Sequence, residues 1–311
     1  MKENHKHLII INPNAGRRKA KKDWPIIETL LQSYNLDYEV VFTEYRHHAI
    51  KIVAHKISKH HYRKIIAVGG DGTVNEVVNG IFTQDTVKSK EIQLGVIMIG
   101  TGNDWGKMFN IPNDYTEAVD LIMKGKRFVQ DVGHVSYYVG KEKHLRYFIN
   151  CAGLGFDALV TESTNKEKDA GKSSTFSYFK SLLSSLFRYK PVPVKIHIDN
   201  REILNGKLFT LSLGIGKYTG GGMQQNPDAI PDDGLFDVML VDKIAKTKLI
   251  RKIKRLYDGS IKDIKEVRSY RMNNMQVESD HKLMLEVDGE SLGHAPFTFG
   301  IIPESLQVIV R

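Results

Sequence analysis

The chain has 311 residues, and 41% of them are hydrophobic, which is enough for two ordinary cores, so we expect two domains. Lys and Arg exceed Asp and Glu by 45 to 36, and this basic balance suits a nucleotide, a nucleic acid or an anionic membrane surface. The single cysteine excludes an internal disulfide, and no apolar stretch approaches the ~20 residues of a membrane-spanning helix. We therefore expect a cytoplasmic protein whose membrane contact is peripheral, at the inner membrane face.

Short apolar runs alternate with helical patterns in the first part of the chain. The predicted strands are Leu8 to Ile11, Tyr38 to Thr43, Ile65 to Val68 and Leu94 to Ile99. This alternation predicts a doubly wound, Rossmann-like α/β domain over residues 1–127. In such sheets ligands bind beyond the carboxyl ends of the strands, where the turns Asn12 to Gly16, Gly69 to Thr73 and Gly100 to Asp104 fall.

The turn from Gly69 to Glu76 is the most informative of the three. Gly69, Gly70 and Gly72 let the backbone approach a ligand closely, and the start of the following helix favours anionic oxygens. Asp71 adds a carboxylate for a metal or a ribose, and Thr73 adds a hydroxyl. Glycine turns are common, so an ordinary strand-to-helix connection is the alternative.

The two neighbouring turns carry weaker signals. Asn12 to Gly16 precedes Arg17, Arg18 and Lys19, which fits a phosphate or a base, although a solvated basic helix face explains the same residues. In the third turn Thr101 could bind phosphate, and Asn103 or Asp104 is expected to cap the next helix.

From about residue 128 the pattern changes to strands separated by turns. Predicted strands include Arg146 to Ala152, Val192 to Ile198, Lys207 to Ile215, Leu235 to Val241 and Lys282 to Val287. The pattern predicts an antiparallel β-sandwich over residues 128–304, with a last strand, 305–311, that could return to the first domain. Helical insertions are expected near 176–189 and 244–257.

Two acidic turns in this half are candidates for chemistry. Asp228, Asp232 and Asp233 lie in one turn, which could bind Mg²⁺ or simply form a hairpin. Glu290 follows Asp288 and Gly289 in another, and its carboxylate could act as a general base if it faces the active-site cleft.

Taken in order, these motifs resemble the bacterial diacylglycerol kinase family of soluble lipid kinases. The matching segments are N-P-N-A-G at 12–16, G-G-D-G-T-V-N-E at 69–76, G-T-G-N-D at 100–104, D-D-G-L-F at 232–236 and D-G-E at 288–290. The stretch G-G-G-M at 220–223, leading to P-D-A at 227–229, is also similar to the family. Gly102, Trp105 and the polar 224–226 depart from its usual pattern and leave the choice of substrate open.

The resemblance implies the roles of individual residues. ATP is implied to contact Asn12, Pro13, Asn14, Ala15, Gly16, Thr43, Gly70, Asp71, Gly72, Thr73, Val74, Asn75, Glu76 and Thr101. Asp71 would help to hold the catalytic Mg²⁺, and Glu290 falls at the position of the family's proton acceptor. A second, largely structural Mg²⁺ would be held by the Asp233 side chain and the carbonyls of Ile230 and Leu235.

The hypothesis is an ATP-dependent lipid kinase with its active site in the cleft between the two domains. The alternatives are an NAD kinase-like enzyme, whose family shares the G-G-D-G-T turn, and an inactive nucleotide-binding regulator at the membrane. Nucleic-acid binding is not expected, because no compact motif interleaves basic and aromatic residues. The acceptor lipid and the oligomeric state stay open, a homodimer included.

Two segments are candidates for contact with an anionic membrane. The first has an apolar stripe at helical spacing, which a buried packing helix also explains: Phe176, Phe179, Leu182, Leu183, Leu186 and Phe187. The second, Lys243 to Arg255, carries seven Lys or Arg residues without an acid, and its alternative is a solvated helix face.

Overall fold

The computed structural model describes residues 4–169 and 184–311. The chain forms two compact units. Unit one comprises Met1–Val132, Gly220–Gly222 and Ile302–Arg311, and unit two comprises Gly133–Thr219 and Met223–Ile301. Most of the apolar stripe expected at 176–187 lies outside the described residues. Each unit has its own hydrophobic core.

Unit one is built on a parallel sheet. Its strands are β1 (Asn4–Ile11), β2 (Tyr38–Phe42), β3 (Tyr62–Gly69) and β4 (Gln93–Met98), in the order β2-β1-β3-β4. Near the end of the chain, Gln307 and Val308 pair with β4, also in parallel. The connecting helices are α1 (Ala15–Ser33), α2 (His48–His60), α3 (Asp71–Thr83), α4 (Asp104–Met108) and α5 (Tyr115–Lys124), with a 3₁₀ turn at Ser89–Glu91.

The helices of unit one pack in pairs, α1 with α5 and α2 with α3. On α1, the fully or almost fully buried Trp24, Ile27 and Leu31 follow the helical repeat and meet strand residues such as Ile9 and Ile66. Because the strands are parallel, β1, β3 and β4 all end at the same edge of the sheet. The expected α/β domain is thereby confirmed, and its three turns belong to that edge.

Unit two contains mainly antiparallel strands. They are the second part of β5 (Lys126–Val139), β6 (Glu142–Phe148), β7 (Cys151–Gly155), β8 (Val192–Ile198), β9 (Arg201–Leu208), β10 (Thr210–Gly214), β11 (Tyr218–Thr219), β12 (Met223–Gln224), β13 (Phe236–Val241), β14 (Arg268–Met272), β15 (Asn274–Glu278), β16 (Met284–Val287) and the first part of β17 (Glu290–Val310). One row of strands runs β14-β13-β10-β7-β16-β17, and another runs β9-β8-β15-β17.

The core of unit two collects apolar side chains from both rows. Phe148 stacks on Phe236, and Phe297 and Phe299 on β17 are almost fully buried beside them. The helical segments are α6 (Phe156–Asp169), residues 184–188, Lys246–Lys252, Arg255–Asp258 and a 3₁₀ turn at Ser260–Asp263. The β-rich second half predicted from the sequence is confirmed as a sandwich-like unit.

The predicted strand from Arg146 to Ala152 was wrong as one continuous element. In the structure β6 ends at Phe148 and β7 begins at Cys151. The Asp288 carboxylate accepts the backbone N–H groups of Ile149, Asn150 and Cys151 at 3.0, 3.1 and 2.9 Å. A side chain far along the sequence therefore takes up the hydrogen bonds that a continuing strand would give to its neighbours.

The described helices include none that could cross a bilayer, because none in residues 4–169 and 184–311 is both long and apolar enough.

Candidate active site

The turn after β3 leads directly into α3. A Cβ atom on Gly69 would lie 2.3 Å from the Thr73 Oγ1, so the close approach of these two residues requires glycine. Gly72 is different, because it is exposed and a Cβ there would meet nothing within 4 Å. The first turn of α3 is thus open on the side of Gly72, where helix N–H dipoles favour an anion.

The turn after β1 is tied to the turn after β3 by side chains. Asn12 Nδ2 donates to Thr73 Oγ1 at 3.2 Å, and Asn12 Oδ1 accepts the Asn14 N–H at 3.0 Å. Gly16 has a φ of 59° and lies close to Ile99, just beyond the end of β4. The structure thus brings Asn12, Gly16 and Thr73 to the edge that the sequence predicted.

The turn after β4 is held by Asp71. Its Oδ1 accepts the Trp105 N–H at 3.2 Å, at the start of α4. Asn103, the residue that precedes α4, has a φ of 52° and makes no side-chain cap. The expectation that Asn103 or Asp104 caps this helix was therefore wrong, because the carboxylate from the neighbouring turn satisfies the N–H group instead.

Asp104 is a candidate site residue that the sequence reasoning missed. It is buried, with Lys107 Nζ 2.9 Å from one carboxylate oxygen and the Gly221 N–H donating to the other at 2.7 Å. A Cβ on Gly102 would lie 3.2 Å from Asp71 Oδ2 and 3.3 Å from Asp104 Oδ2. The absence of a side chain at Gly102 is the signal that could have drawn attention to this pair of carboxylates.

Asp71 fits a magnesium ion that accompanies a nucleotide, whereas Asp104 already has Lys107 on one oxygen and the Gly221 N–H on the other. Mg²⁺ in such sites is bound through one or two carboxylates and completes its shell with phosphates and water. Across residues 4–169 and 184–311 no group of three or more His, Cys, Asp and Glu side chains could hold a metal by itself. An ion held by Asp71 would therefore take its other ligands from phosphates and water.

Other residues expected at the nucleotide have structural partners. The Glu76 carboxylate accepts the N–H groups of His47 and Ala49 at 2.9 and 3.3 Å, which caps the start of α2. Asn75 is buried and receives hydrogen bonds from Asn79. The Glu76 side chain thus ties α3 to the start of α2, and the hydrogen bonds between Asn75 and Asn79 lie within α3.

The remaining nucleotide candidates divide by exposure. Val74 is fully buried, and Thr43 is buried next to the end of β2, where its N–H donates to the Ile11 carbonyl at 2.8 Å. Thr101 is exposed, as are Gly100 and Asn14. Pro13 and Ala15 are partly exposed in the turn after β1.

In unit two, Glu290 follows a tight hairpin turn. Val287 pairs with Glu290, and the two residues between them, Asp288 and Gly289, have φ values of 46° and 81°, as a type I′ turn requires. Arg146 Nη2 lies 2.6 Å from Glu290 Oε2. The side chains of Arg146 and Glu290 are 9% and 14% exposed, so the carboxylate is held in one orientation beside a buried guanidinium.

The acidic turn before β13 is arranged around Arg271. Asp233 Oδ1 accepts the Leu235 N–H at 3.0 Å, and Asp233 Oδ2 pairs with the Arg271 guanidinium. Arg271 is also the cross-strand partner of Asp237, at 3.7 Å. Burial, followed by the charge of Asp228, raises the pKa of Asp237 to about 6. Ile230 is exposed in the same turn.

This arrangement does not fit the structural magnesium ion that the resemblance implies at Ile230, Asp233 and Leu235. Both oxygens of Asp233 already have partners, and the guanidinium occupies the place that a cation would take. No step of the chemistry is therefore assigned to a metal here, and the ion stays a prediction.

We expect millimolar Mg²⁺ to change the melting temperature of the wild-type protein and of Asp233→Asn by the same amount, because Arg271 already neutralises Asp233. Thermal unfolding of both proteins, with magnesium and with a chelator, measures this. A magnesium-dependent rise in the wild type that is lost in Asp233→Asn would show that the ion displaces Arg271.

Both halves of the chain are similar to known protein families. Residues 6–135 match the diacylglycerol kinase catalytic domain, and residues 150–310 match the YegS C-terminal NAD kinase beta sandwich-like domain. A diacylglycerol kinase of Staphylococcus saprophyticus is 30% identical over 301 residues, which cover 96% of this chain and 93% of the relative. The chain belongs to the diacylglycerol kinase family. A diacylglycerol kinase of Staphylococcus aureus is 31% identical over an aligned region that covers 94% of this chain and 88% of the relative.

Solved structures agree on the fold. A diacylglycerol kinase of Bacillus anthracis has a TM-score of 0.78 at 24% identity and covers all of this chain and 99% of its own. Yeast NADH kinase, solved with NADH, has a TM-score of 0.54 at 12% identity and covers 98% of this chain and 83% of its own. These two structures show the fold alone, which is related to that of an NADH kinase.

Proposed function

We propose that this diacylglycerol kinase family member transfers the γ-phosphate of ATP to a hydroxyl group of a lipid such as diacylglycerol, with Mg²⁺. The observation that carries the proposal is the open first turn of α3, with Gly72 exposed and Thr73 tied to Asn12 from the neighbouring strand. Backbone N–H groups at such a helix start suit a triphosphate, and the two glycines before Asp71 allow a close approach.

On this proposal Asp71 would help to hold the magnesium ion that accompanies ATP, while Asp104 orients Lys107. When bound, the ion neutralises charge on the phosphate oxygens. Trp105 and Gly221 donate backbone N–H groups to these carboxylates and so fix their orientation before the nucleotide arrives. Phosphoryl transfer asks a protein mainly for positioning and electrostatic stabilisation, which these fixed groups supply.

The Glu290 carboxylate is the proposed proton acceptor for the lipid hydroxyl. As the hydroxyl oxygen forms its bond to the γ-phosphorus and the bond to ADP breaks, the proton passes to Glu290. The Arg146 guanidinium lies 2.6 Å from one oxygen of the Glu290 carboxylate and so fixes the orientation of that group. Arg146 therefore acts as a positioning residue.

One experiment distinguishes this function from the two alternatives. The protein is incubated with radiolabelled ATP, Mg²⁺, diacylglycerol in mixed micelles and, separately, a total lipid extract or NAD, and the products are separated by chromatography. Labelled phosphatidic acid or another labelled phospholipid is the expected result. Labelled NADP would assign the protein to the dinucleotide kinases, whose fold is related. ATP binding without any labelled product would indicate that the protein is a nucleotide-binding regulator.

We further propose that the segment from Lys243 to Arg255 contacts an anionic membrane. The apolar side chains of this segment, including Leu249, Ile250 and Ile253, pack against the cluster around Phe156 and Phe209. Lys243, Arg251 and Lys254 are exposed, whereas Lys248 pairs with Glu266 at 2.6 Å. The segment thus packs its apolar side chains against the protein and exposes cations to solvent. Such exposed cations suit contact with a negatively charged leaflet.

An exposed aromatic side chain lies beside this basic segment. Lys246 Nζ donates to the backbone carbonyls of Phe187 and Tyr189 at 2.9 and 3.0 Å, and the Phe187 side chain is 64% exposed. Leu186, in contrast, is buried. Within the described part of the predicted apolar stripe, only Phe187 is therefore available to a bilayer.

We expect replacement of Lys243, Arg251 and Lys254 by Gln to weaken binding to phosphatidylglycerol vesicles ~100-fold, since each charge near an anionic leaflet contributes ~1 kcal/mol. Vesicle co-sedimentation measures the effect, with phosphatidylcholine vesicles as the neutral surface. A matched variant in unit one, with the exposed Lys21, Lys88 and Lys90 changed to Gln, loses the same charge. If vesicle binding weakened equally in both variants, the net charge alone would explain the effect. The proposal that the segment from Lys243 to Arg255 contacts the membrane would then be rejected.

A further inference from the structure

Glu286 is a buried carboxyl group that the proposed reaction does not use. It lies on β16, opposite Gly153 of β7 in the antiparallel register. Its neighbours Leu285 and Val287 point into the apolar core, so Glu286 points to the other face of the sheet, where α6 packs. The residue is 4% exposed.

A second carboxyl group lies over the same position. Asp157, in the first turn of α6, occupies the space that a side chain at residue 153 would fill, because a Cβ on Gly153 would lie 2.2 Å from Asp157 Oδ2. Gln225 donates to Asp157 Oδ1 at 3.0 Å, and the Cys151 thiol lies 3.8 Å from Glu286 Oε1. The face under α6 thus contains two neighbouring carboxyl groups, one amide donor and one thiol.

Burial raises the pKa of both carboxyl groups, and for Glu286 the nearby charges of Asp157 and Asp288 raise it further. The Gly289 N–H and the thiol act in the opposite direction on Glu286. Two close carboxylates in one buried site favour a state in which they share a proton. A shared proton would remove the repulsion between the two carboxyl groups.

The second oxygen of Glu286 reaches the turn that precedes Glu290. Glu286 Oε2 accepts the Gly289 N–H at 2.9 Å, and Asn165 Nδ2, from α6, donates to the Gly289 carbonyl at 2.9 Å. Both polar groups of the Gly289 residue are therefore bound by side chains. At the same time Asp288 accepts three backbone N–H groups from residues 149–151.

We propose that Glu286 is a positioning residue for the reaction: together with Asn165 it clamps Gly289 and so fixes the place of the adjacent Glu290 carboxylate. The inference rests on the proposed role of Glu290 as proton acceptor. The turn is held at the Asp288 side chain and at both backbone polar groups of Gly289. The side chain of the next residue, Glu290, therefore has little freedom to shift.

The test compares Glu286→Ala, Glu286→Gln and Asn165→Ala in the lipid phosphorylation assay. Glu286→Ala is expected to lower kcat ~10- to 100-fold and to leave the KM for ATP within about twofold, since it displaces the base and not the nucleotide. Glu286→Gln keeps an oxygen for the Gly289 N–H and removes the charge that repels Asp157, so its kcat should stay within about threefold of the wild type.

Asn165→Ala covers the case in which Glu286→Ala fails to fold, because Asn165 is partly exposed and its change removes only the bond to the Gly289 carbonyl. Its kcat should fall by a smaller factor, again without a change in the KM for ATP. Tyr189→Phe is the control, since it removes a buried hydrogen bond to the Leu208 carbonyl in the same unit. An unchanged kcat in Asn165→Ala, or a loss in Glu286→Gln equal to that in Glu286→Ala, would overturn the proposal.

A readout that needs no activity separates this inference from the proposed function. Amide hydrogen exchange of Gly289, followed by NMR with isotopically labelled glycine, should be slow in the wild type and in Glu286→Gln and fast in Glu286→Ala. If exchange behaves in this way while no lipid is phosphorylated, the clamp stands and the proposed function fails. If exchange of Gly289 is the same in Glu286→Ala as in the wild type, the clamp is rejected whatever the activity.

Discussion

Glu290→Gln is expected to lower kcat for lipid phosphorylation by ~10²- to 10⁴-fold, the usual contribution of a general base, and to leave ATP affinity nearly unchanged. The amide has the size of the carboxylate but cannot accept the hydroxyl proton. Initial rates with labelled ATP and titration of a fluorescent ATP analogue measure the two quantities.

The fold of Glu290→Gln has to be checked separately, because Arg146 would lose its charged partner in a site where both side chains are largely buried. Circular dichroism and assays well below the melting temperature provide the check. Glu142→Gln, at an exposed position of β6, the strand that carries Arg146, is the matched control. Turnover of Glu290→Gln at the wild-type rate would remove Glu290 from the mechanism.

Gly72→Ala is expected to weaken ATP binding ~10- to 100-fold, without loss of stability, because a methyl group would project into the open space where the triphosphate is proposed to approach. Gly72 lies within α3, where Ala is favoured over Gly by ~0.5–1 kcal/mol, so the melting temperature should stay the same or rise. Calorimetric titration with ATP and thermal unfolding measure the two effects.

Gly69→Ala is the matched control for this prediction. Its methyl group would meet the Thr73 side chain at 2.3 Å, so this variant should lose stability first and ATP binding only as a consequence. Normal ATP affinity in a stable Gly72→Ala protein would place the triphosphate elsewhere.

The sequence predicted the parts of the site that depend on local pattern. Apolar runs such as Ile65–Val68 predict buried strands, and they are buried strands in the structure. Because the sheet is parallel, the turns that follow these strands lie at one edge. The link between Asn12 and Thr73 follows from that topology. The motif order also indicated the family correctly, since several short motifs together are far more specific than one glycine turn.

The parts that sequence reasoning missed depend on side chains that bond to distant backbone. Asp71 caps α4, Glu76 caps α2, and Asp288 ends the strand that was expected to continue to Ala152. Each carboxylate replaces a hydrogen bond that a local pattern would assign to a cap or a strand neighbour. Arg271 at Asp233 is a further case, because the pairing of β13 with β14 brings these residues together.

The most direct test of the central claim is a crystal structure of the protein with Mg²⁺ and a non-hydrolysable ATP analogue. The account predicts that the triphosphate lies against the first turn of α3 at Gly72 and Thr73, with the metal beside Asp71. A triphosphate bound away from this turn, or a metal that contacts Asp71 neither directly nor through water, would contradict it.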